Sequence, residues 1–270
     1  MPTADIYTLL AGGLAGCLGA LVGIGGGVLL VPILNSIVGL SFKEATAVSL
    51  VGVLATSSTA GLSGGRRLLN LRLAIVLLAF SVTGSTLGAT YLMHFSERTY
   101  ELVFGLTATS IAALMFVRLH KRNVLPAGAD LGVLGGEFHD DDTGGDVAYR
   151  VNNLPVAASV SFGAGVLTSL VGIGGGILIV PTLNTLCGVP LRVAAATSVM
   201  MIGVTAVPSL AAHWSHGLLG DFHVPAMTAL GVLMGFQVGR AISPRAQVRW
   251  LKLVMASILT IVAARYLVWR

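Results

Sequence analysis

The sequence GIGGGVLLVPILN occupies positions Gly23 to Asn35, and a near copy, GIGGGILIVPTLN, occupies positions Gly172 to Asn184. In each copy three adjacent glycines lie inside apolar sequence, although a glycine that replaces alanine in a helix costs about 1 kcal/mol. The glycines therefore predict a break in a helix. The prolines that follow them, Pro32 and Pro181, each remove one helical hydrogen bond, and we interpret them as helix-breaking as well.

The chain is strongly apolar. Of its 270 residues, 55% are hydrophobic and 10% are charged, whereas soluble globular domains carry about 25% charged residues. Segments 6–42 and 151–191 have no charged residue, and about 20 apolar residues suffice for a helix to cross a bilayer. The composition predicts an all-α polytopic membrane protein. The net charge of +5 comes mostly from basic residues that flank apolar segments, which is typical of topology signals and not of nucleic-acid binding.

The chain is also a tandem repeat. Segment 21–49 aligns without gaps with segment 170–198, and 16 of the 29 positions are identical. A Gly-x-x-x-Gly motif that begins at Gly84 recurs at Gly235, and we interpret both copies as helix-packing motifs. The predicted regions are a first transmembrane repeat over residues 1–118, a polar cytoplasmic linker over residues 119–153 and a second transmembrane repeat over residues 154–270.

The long uncharged segments have the wrong length for plain helices. As a single helix, segment 6–42 would be about 55 Å long at 1.5 Å per residue. That length is too great for a hydrocarbon core of about 30 Å and too small for two crossings. A helix that turns at the glycines and returns as a shorter helix fits it. In each repeat we predict such a broken-helix hairpin followed by three transmembrane helices.

Loop charges indicate how the two repeats are oriented. In the first repeat, loop 64–72 carries three arginines, but the equivalent loop of the second repeat, 213–223, has no lysine or arginine. Arginines occur instead in the following loop, 240–249. Because cytoplasmic loops are enriched in lysine and arginine, this exchange predicts inverted repeats, with the linker inside and both termini outside. Two parallel repeats of plain spans are the alternative.

Inverted hairpins would bring their glycine turns together near the middle of the bilayer. The first amides of a half-helix have no partner within that helix and carry a positive partial charge, and glycine lets a ligand approach them closely. This arrangement predicts an anion site that needs no lysine or arginine. The candidate binding residues are Gly25, Gly26, Gly27, Asn35 and Ser49 in the first repeat, and Gly174, Gly175, Gly176, Asn184, Thr197 and Ser198 in the second. The competing interpretation is that the glycines serve close helix packing.

No motif in the sequence predicts an enzyme, a cofactor or a metal centre. The cluster His213, His216, Asp221 and His223 lies at a segment boundary. We interpret it as an interfacial loop, with a proton relay or a metal site as alternatives. A cation or metal permease is a second hypothesis, but it would need carboxylates at membrane depth, and the apolar segments hold none. A non-transporting membrane scaffold is a third hypothesis.

The two GIGGG motifs, together with segments 45–49 and 194–198 that follow them, resemble the signature of the TauE/SafE sulfite exporter family of membrane permeases. The resemblance covers nearly the whole chain. It implies a secondary transporter that exports a small sulfur-containing oxyanion, such as sulfite, sulfoacetate or a related organosulfonate, across the bacterial inner membrane by alternating access. The positions that match the signature are Gly25–Gly27, Asn35, Gly174–Gly176 and Asn184. Val48 stands where the second repeat has Thr197, so a hydroxyl pair there is not symmetric.

Overall fold

The computed structural model describes residues 2–22, 26–62, 68–91, 94–116, 131–140, 145–242, 257 and 260–267. In this part of the chain the protein consists of α-helices and one β-hairpin. The helices are α1 (Pro2–Val22), α2 (Gly27–Ile33), α3 (Phe42–Leu62), α4 (Leu71–Tyr91), α5 (Glu97–Phe116), α6 (Leu154–Val171), α7 (Gly176–Thr185), α8 (Leu191–Ser215) and α9 (His223–Ile242), and residues 260–267 are helical too. The strands are β1 (Gly136–Asp140) and β2 (Gly145–Tyr149).

The helices have the lengths and surfaces of membrane spans. Among the described residues, α4, α6 and α8 are both long enough and apolar enough to cross a bilayer. Large apolar side chains point outward from the bundle, for example Ile75 and Phe80 on α4 and Leu230 and Met234 on α9. An apolar surface of this extent is unfavourable in water and favourable in lipid. The chain is a multi-pass, helical membrane protein, as the composition predicts.

The helix breaks lie at the glycines, as predicted. Helix α6 ends at Gly172, which has a φ of 65°, and Gly174 has a φ of 68°. These values lie in the left-handed region that glycine adopts without strain. In the first repeat, α1 ends at Val22 and α2 begins at Gly27. The half-helices α2 and α7, with 7 and 10 residues, are too short to cross the bilayer.

The interpretation of the two prolines as helix breakers is wrong. Pro32 lies inside α2 and Pro181 lies inside α7, and both half-helices continue past them. A proline removes one amide donor and crowds the carbonyl four residues earlier, which is a local cost. After Pro32 the chain continues as a π-helical turn, Leu34–Val38, which ends at Gly39. In the second repeat the break between α6 and α7 lies at Gly172–Gly175, before Pro181.

The closest helix contacts join one repeat to the other. Helix α1 packs against α9 of the second repeat, and α6 packs against α4 of the first. Glycines bring the backbones together in both interfaces: Gly84 lies against the backbone of Phe162, and Gly235 lies against that of Gly13. The prediction that the Gly-x-x-x-Gly motifs serve packing is confirmed. Helices α3 and α8 occupy the centre, where they pack against each other.

The linker carries the β-hairpin, which is fastened to the helical bundle through Asn70. The Asn70 side-chain amide donates hydrogen bonds to the Leu134 carbonyl at 2.7 Å and to the Tyr149 hydroxyl at 2.8 Å. Its carbonyl oxygen accepts the Leu73 amide at 3.0 Å, at the start of α4. Burial raises the pKa of the Tyr149 phenol, and the hydrogen bond from Asn70 opposes that shift. One side chain therefore joins the hairpin to the first turn of α4.

Replacing Asn70 with alanine is expected to loosen the attachment of the hairpin to the bundle, where Phe138, Val147 and Tyr149 still pack in one apolar cluster with the helices. The variant loses three hydrogen bonds at once, and a partly buried bond of this kind contributes about 1 kcal/mol. Limited proteolysis of the purified protein should cut the linker at least tenfold faster, with the two helical repeats intact. Asn153→Gly is the matched control, because it removes one amide hydrogen bond, to Leu186, at a position whose φ of 52° suits glycine. Equal cleavage rates for both variants would contradict this role of Asn70.

Candidate functional site: the paired hairpin tips

The tips of the two hairpins touch inside the bundle. A Cβ atom placed on Gly27 would lie 2.7 Å from the carbonyl oxygen of Gly172 and 2.7 Å from the side chain of Val53. Gly172 itself lies against the backbone of Thr46. Because real Cβ atoms do not approach other atoms this closely, only glycine allows the first tip to reach the second. The predicted meeting of the two glycine turns is present in the structure.

Ser49 links the two tips. Its Oγ lies 2.8 Å from the carbonyl oxygen of Gly172 and 3.3 Å from that of Gly27. The side chain is buried, and its single hydroxyl hydrogen is shared between two carbonyl groups. Ser49 is therefore at the predicted site, where it donates to backbone carbonyls from both repeats.

The second tip already satisfies some of its own amides. The Gly175 amide donates to Thr168 Oγ1 at 2.8 Å, and the Gly176 amide donates to the carbonyl of Gly174. The Thr168 hydroxyl in turn donates to the Ala164 carbonyl at 2.8 Å. Thr168 is a site residue that the sequence analysis does not predict. The sequence feature that could identify it is a hydroxyl residue one turn before Gly172, the glycine that caps the end of α6.

The space at the second tip is small. A cavity of about 10 Å³ lies there, lined by residues of α5, α6 and α7 that include Thr168, Gly175 and Ile177. One water molecule needs roughly 10–15 Å³ of such volume. A Cβ atom on Gly175 would lie 2.5 Å from Ala164 Cβ, so the tip is also packed tightly against α6. In this conformation the second tip has no room for an oxyanion.

The first tip is packed in the same way. A Cβ atom on Gly26 would lie 2.8 Å from the Ala15 carbonyl oxygen, in the position that corresponds to Gly175 against Ala164. The Gly26 carbonyl accepts the amides of Leu29 and Leu30 as α2 begins. The predicted binding residue Gly25 lies outside the described residues.

The two asparagines lie at the far ends of the half-helices. Asn35 Nδ2 donates to the Leu40 carbonyl at 2.9 Å, and Asn184 Nδ2 donates to the Val189 carbonyl at 3.0 Å. The offset of five residues is the same in both repeats. Asn35 also accepts the Tyr266 hydroxyl at 2.7 Å. Because Asn35 lies eight positions after Gly27, the glycines and the amide are about 12 Å apart along the helix. The structure does not bring the asparagines to the tips.

Thr197 and Ser198 differ in position. Ser198 Oγ donates to the Ala195 carbonyl of its own helix at 3.0 Å, and it lies beside the second tip, 3.6 Å from a Cβ atom placed on Gly176. Thr197 Oγ1 instead accepts a hydrogen bond from the backbone amide of Asn70 at 3.2 Å, just before the start of α4. Of this pair, only Ser198 adjoins the glycines.

The fold and these contacts define a polytopic α-helical membrane protein with two matching repeats whose glycine-rich hairpins meet tip to tip. The chain belongs to the sulfite exporter TauE/SafE family, whose profile matches residues 8–266. It is 25% identical over 268 residues to the probable membrane transporter protein YunE of Bacillus subtilis (strain 168), with 96% of each chain covered. No solved structure matches the chain significantly. The family is one of membrane transporters, and this chain is therefore a membrane protein of a transporter family.

Proposed function

We propose that this protein is a secondary transporter that exports a small sulfur-containing oxyanion across the bacterial inner membrane by alternating access. Sulfite, sulfoacetate and related organosulfonates are the substrates that the family name and the site chemistry favour. The observation that carries the proposal is the contact between the two glycine-rich tips, bridged by Ser49. Paired half-helix tips inside a bundle are typical of transporters that bind their substrate at mid-membrane.

The directions of equivalent helices support inverted repeats. Helices α3 and α8 correspond, since Ser49 aligns with Ser198. Lys43, at the start of α3, lines a cavity with His216, which follows the end of α8. Asn70, beyond the end of α3, bonds to Thr197 near the start of α8. The two equivalent helices therefore run in opposite directions. We therefore propose that the chain is organised as a first repeat over residues 1–118, a linker over residues 119–153 and an inverted second repeat over residues 154–270.

The charges at the two faces support an orientation. Arg72 and Arg192 begin α4 and α8, Arg240 lies near the end of α9, and Arg150 precedes α6. All four lie at the face opposite to Lys43. Because cytoplasmic faces are enriched in arginine and lysine, this face and the linker are assigned to the cytoplasm. The arginines 66, 67, 245 and 249, which contributed to the sequence prediction, lie outside the described residues.

In the proposed mechanism the anion binds between the tips when they separate. The first amides of α2 and α7 then face it, and each helix dipole adds about half a positive charge. Gly26, Gly27, Gly174, Gly175 and Gly176 permit the close approach, and Ser49 and Ser198 supply hydroxyls beside them. Asn35 and Asn184 act as positioning residues, because they hold the opposite ends of the half-helices. Thr197 lies outside the paired tips and acts as a residue that positions the start of α4 against α8.

The glycine interfaces also indicate which parts move. Helices α1 and α9 are joined through glycines, as are α4 and α6. Each pair takes one helix from each repeat. We propose that the pair α1–α9 with its half-helix α2 rocks against the pair α4–α6 with its half-helix α7. Rocking of one whole repeat against the other would instead have to break both glycine interfaces.

A binding panel tests the proposal. The full-length protein in detergent is titrated with sulfite, sulfate, thiosulfate, sulfoacetate and chloride, and binding is followed by thermal shift and calorimetry. A sulfur oxyanion that binds the folded protein at 100 times its Kd should stabilise it by about 2.7 kcal/mol, and chloride should not. If no anion stabilises protein that elutes as a single species and melts cooperatively, the proposal is wrong.

A further inference from the structure

A cluster of buried hydroxyl groups joins α4, α6 and α8. Ser81 Oγ lies 2.5 Å from Thr205 Oγ1, and Ser85 Oγ donates to the Thr205 carbonyl at 2.7 Å. Ser209 Oγ lies 2.6 Å from Ser85 Oγ and 2.6 Å from Ser169 Oγ. All five side chains are buried. No sequence motif marks this cluster, because its members come from three helices.

Helix packing alone does not require these hydroxyls. An equivalent interface exists between α1 and α9. There the backbone of Val232 packs on Gly16, just as the backbone of Ser81 packs on Gly165. In the alignment of the two Gly-x-x-x-Gly motifs, Phe236 corresponds to Ser85. The repeat therefore forms this interface with apolar side chains on one side of the bundle and with hydroxyls on the other.

His213 lies one turn after Ser209 on α8 and is fully buried near the end of that helix. Its Nδ1 lies 2.7 Å from the Ser209 carbonyl oxygen. Because a carbonyl only accepts, Nδ1 carries the hydrogen, and Nε2 of the neutral ring holds a free lone pair. Nε2 is buried and has no hydrogen-bond partner among the described residues. A buried polar atom without a partner is costly, and here it is a vacant site for one proton.

A cavity lies at the face that we assign to the outside, beyond the turn that follows His213. It has a volume of about 250 Å³ and is lined by Lys43, His94, His216 and Leu218. The Leu218 amide donates to the His213 carbonyl at 3.0 Å, so the cavity wall is attached directly to His213. Among the described residues that line the cavity there is no carboxylate. Its volume and its basic side chains suit a small anion.

The charges around His213 come from several elements. Lys43 on α3 and His216 beyond α8 line the cavity, and His94 lies before α5. The nearby carboxylates of Glu44 and Glu97 accept the amides of Ser41 and Phe42 at the start of α3. Asp221 and His223 follow in the loop that leads to α9. The groups that line the cavity are therefore cationic or can become so.

We infer that His213 is a proton-binding residue whose protonation is linked to the binding of a small anion in the cavity formed by Lys43, His94 and His216. A proton on Nε2 adds a positive charge beside Lys43, which is unfavourable unless an anion enters the cavity. By reciprocity, a bound anion favours the proton. The inference rests on the proposed function and deepens it, because it gives the transporter an outer anion site and a coupled proton.

The test is calorimetry of the full-length protein with thiosulfate, which takes up no proton itself between about pH 5.5 and pH 8, the range in which histidine titrates. Titrations in buffers of different ionisation enthalpy count the protons bound. Wild-type protein should take up protons when it binds the anion, and its affinity should weaken as the pH rises, by at most about tenfold per pH unit. His213→Asn keeps an amide donor for the Ser209 carbonyl but does not titrate, so its affinity should not depend on pH.

Matched variants locate the effect. His223→Asn removes a histidine outside the cavity and should behave as wild type, whereas Lys43→Gln should weaken binding about fivefold at every pH. His213→Gln replaces His213→Asn if the latter fails to melt cooperatively. Thiosulfate binding that is independent of pH, or proton uptake that persists without His213, overturns the inference and leaves the proposed function in place. Failure of every anion in the panel to bind contradicts the proposed function and the linkage together.

Discussion

Replacing Gly175 with leucine is expected to abolish anion transport. A Cβ atom there would lie 2.5 Å from Ala164 Cβ and 2.7 Å from the Ala164 carbonyl oxygen, and a leucine adds three more carbons. The second tip must then move away from α6, which breaks the hydrogen bond from the Gly175 amide to Thr168. Overpacking of this kind costs about 1–3 kcal/mol. The tip would no longer meet Gly27 and Ser49, so the paired site would be lost.

Gly163→Leu is the matched control for this prediction. Gly163 lies in α6, one residue before Ala164, and a Cβ atom on it would meet nothing within 4 Å. This variant should transport at the wild-type rate. Both variants are reconstituted into liposomes, their insertion is checked by protease protection, and efflux of radiolabelled anion is measured. A normal rate for inserted Gly175→Leu protein would show that the second tip is not part of the transport site.

Replacing Ser49 with alanine is expected to slow transport at least tenfold. The hydroxyl is the polar link between the tips, and its removal leaves the buried carbonyls of Gly27 and Gly172 without this donor. An unsatisfied buried group costs about 1–3 kcal/mol, and about 1.4 kcal/mol corresponds to a factor of ten. Ser198→Ala should have a smaller effect, because that hydroxyl bonds only to the Ala195 carbonyl of its own helix.

Ser58→Ala is the control on the same helix. Ser58 is exposed, and its Oγ donates to the Leu54 carbonyl within α3. Initial rates of efflux are compared at equal amounts of reconstituted protein, together with the melting temperature of each variant. If Ser49→Ala and Ser58→Ala transport at the same rate, contact between the two tips is unimportant for transport.

The sequence predicts the backbone features of this fold because they depend on local chemistry. Three adjacent glycines cannot continue a helix cheaply, so the breaks between α1 and α2 and between α6 and α7 are visible without coordinates. The same holds for the Gly-x-x-x-Gly motifs, which need only the absence of a side chain. The prolines were misinterpreted for a similar reason. The loss of a single hydrogen bond at Pro32 or Pro181 bends or widens a helix locally, but it does not end it.

The side-chain contacts of the site were not predictable from sequence spacing. Asn35 and Asn184 were placed with the glycines because they belong to the same motif, yet their amides bond to loop carbonyls five residues later. That contact depends on how the chain turns after the half-helix. Ser49 was assigned to the right place because it follows the motif at equivalent positions in both repeats. Its acceptor from the other repeat, the carbonyl of Gly172, becomes apparent only in the folded bundle.

Duplication also conceals what differs between the repeats. The alignment draws attention to identical positions, whereas the hydroxyl cluster includes positions where the repeats diverge, such as Ser85 and Phe236. Several of its hydrogen bonds join residues that are more than 80 positions apart along the chain, for example Ser85 and Ser209. The sequence shows His213 only as part of a boundary cluster. Its buried ring and its contact with Ser209 require the packing of α4, α6 and α8.

The most direct measurement is the flux of a radiolabelled sulfur oxyanion through wild-type protein in liposomes, with and without an imposed membrane potential. The account predicts saturable flux that other sulfur oxyanions inhibit and chloride does not. A potential of 100 mV that draws the anion outward should favour efflux, since it contributes about 2.3 kcal/mol per charge. Flux that never exceeds that of empty liposomes, from protein shown to be folded and inserted, would contradict the central claim that this protein transports a sulfur oxyanion.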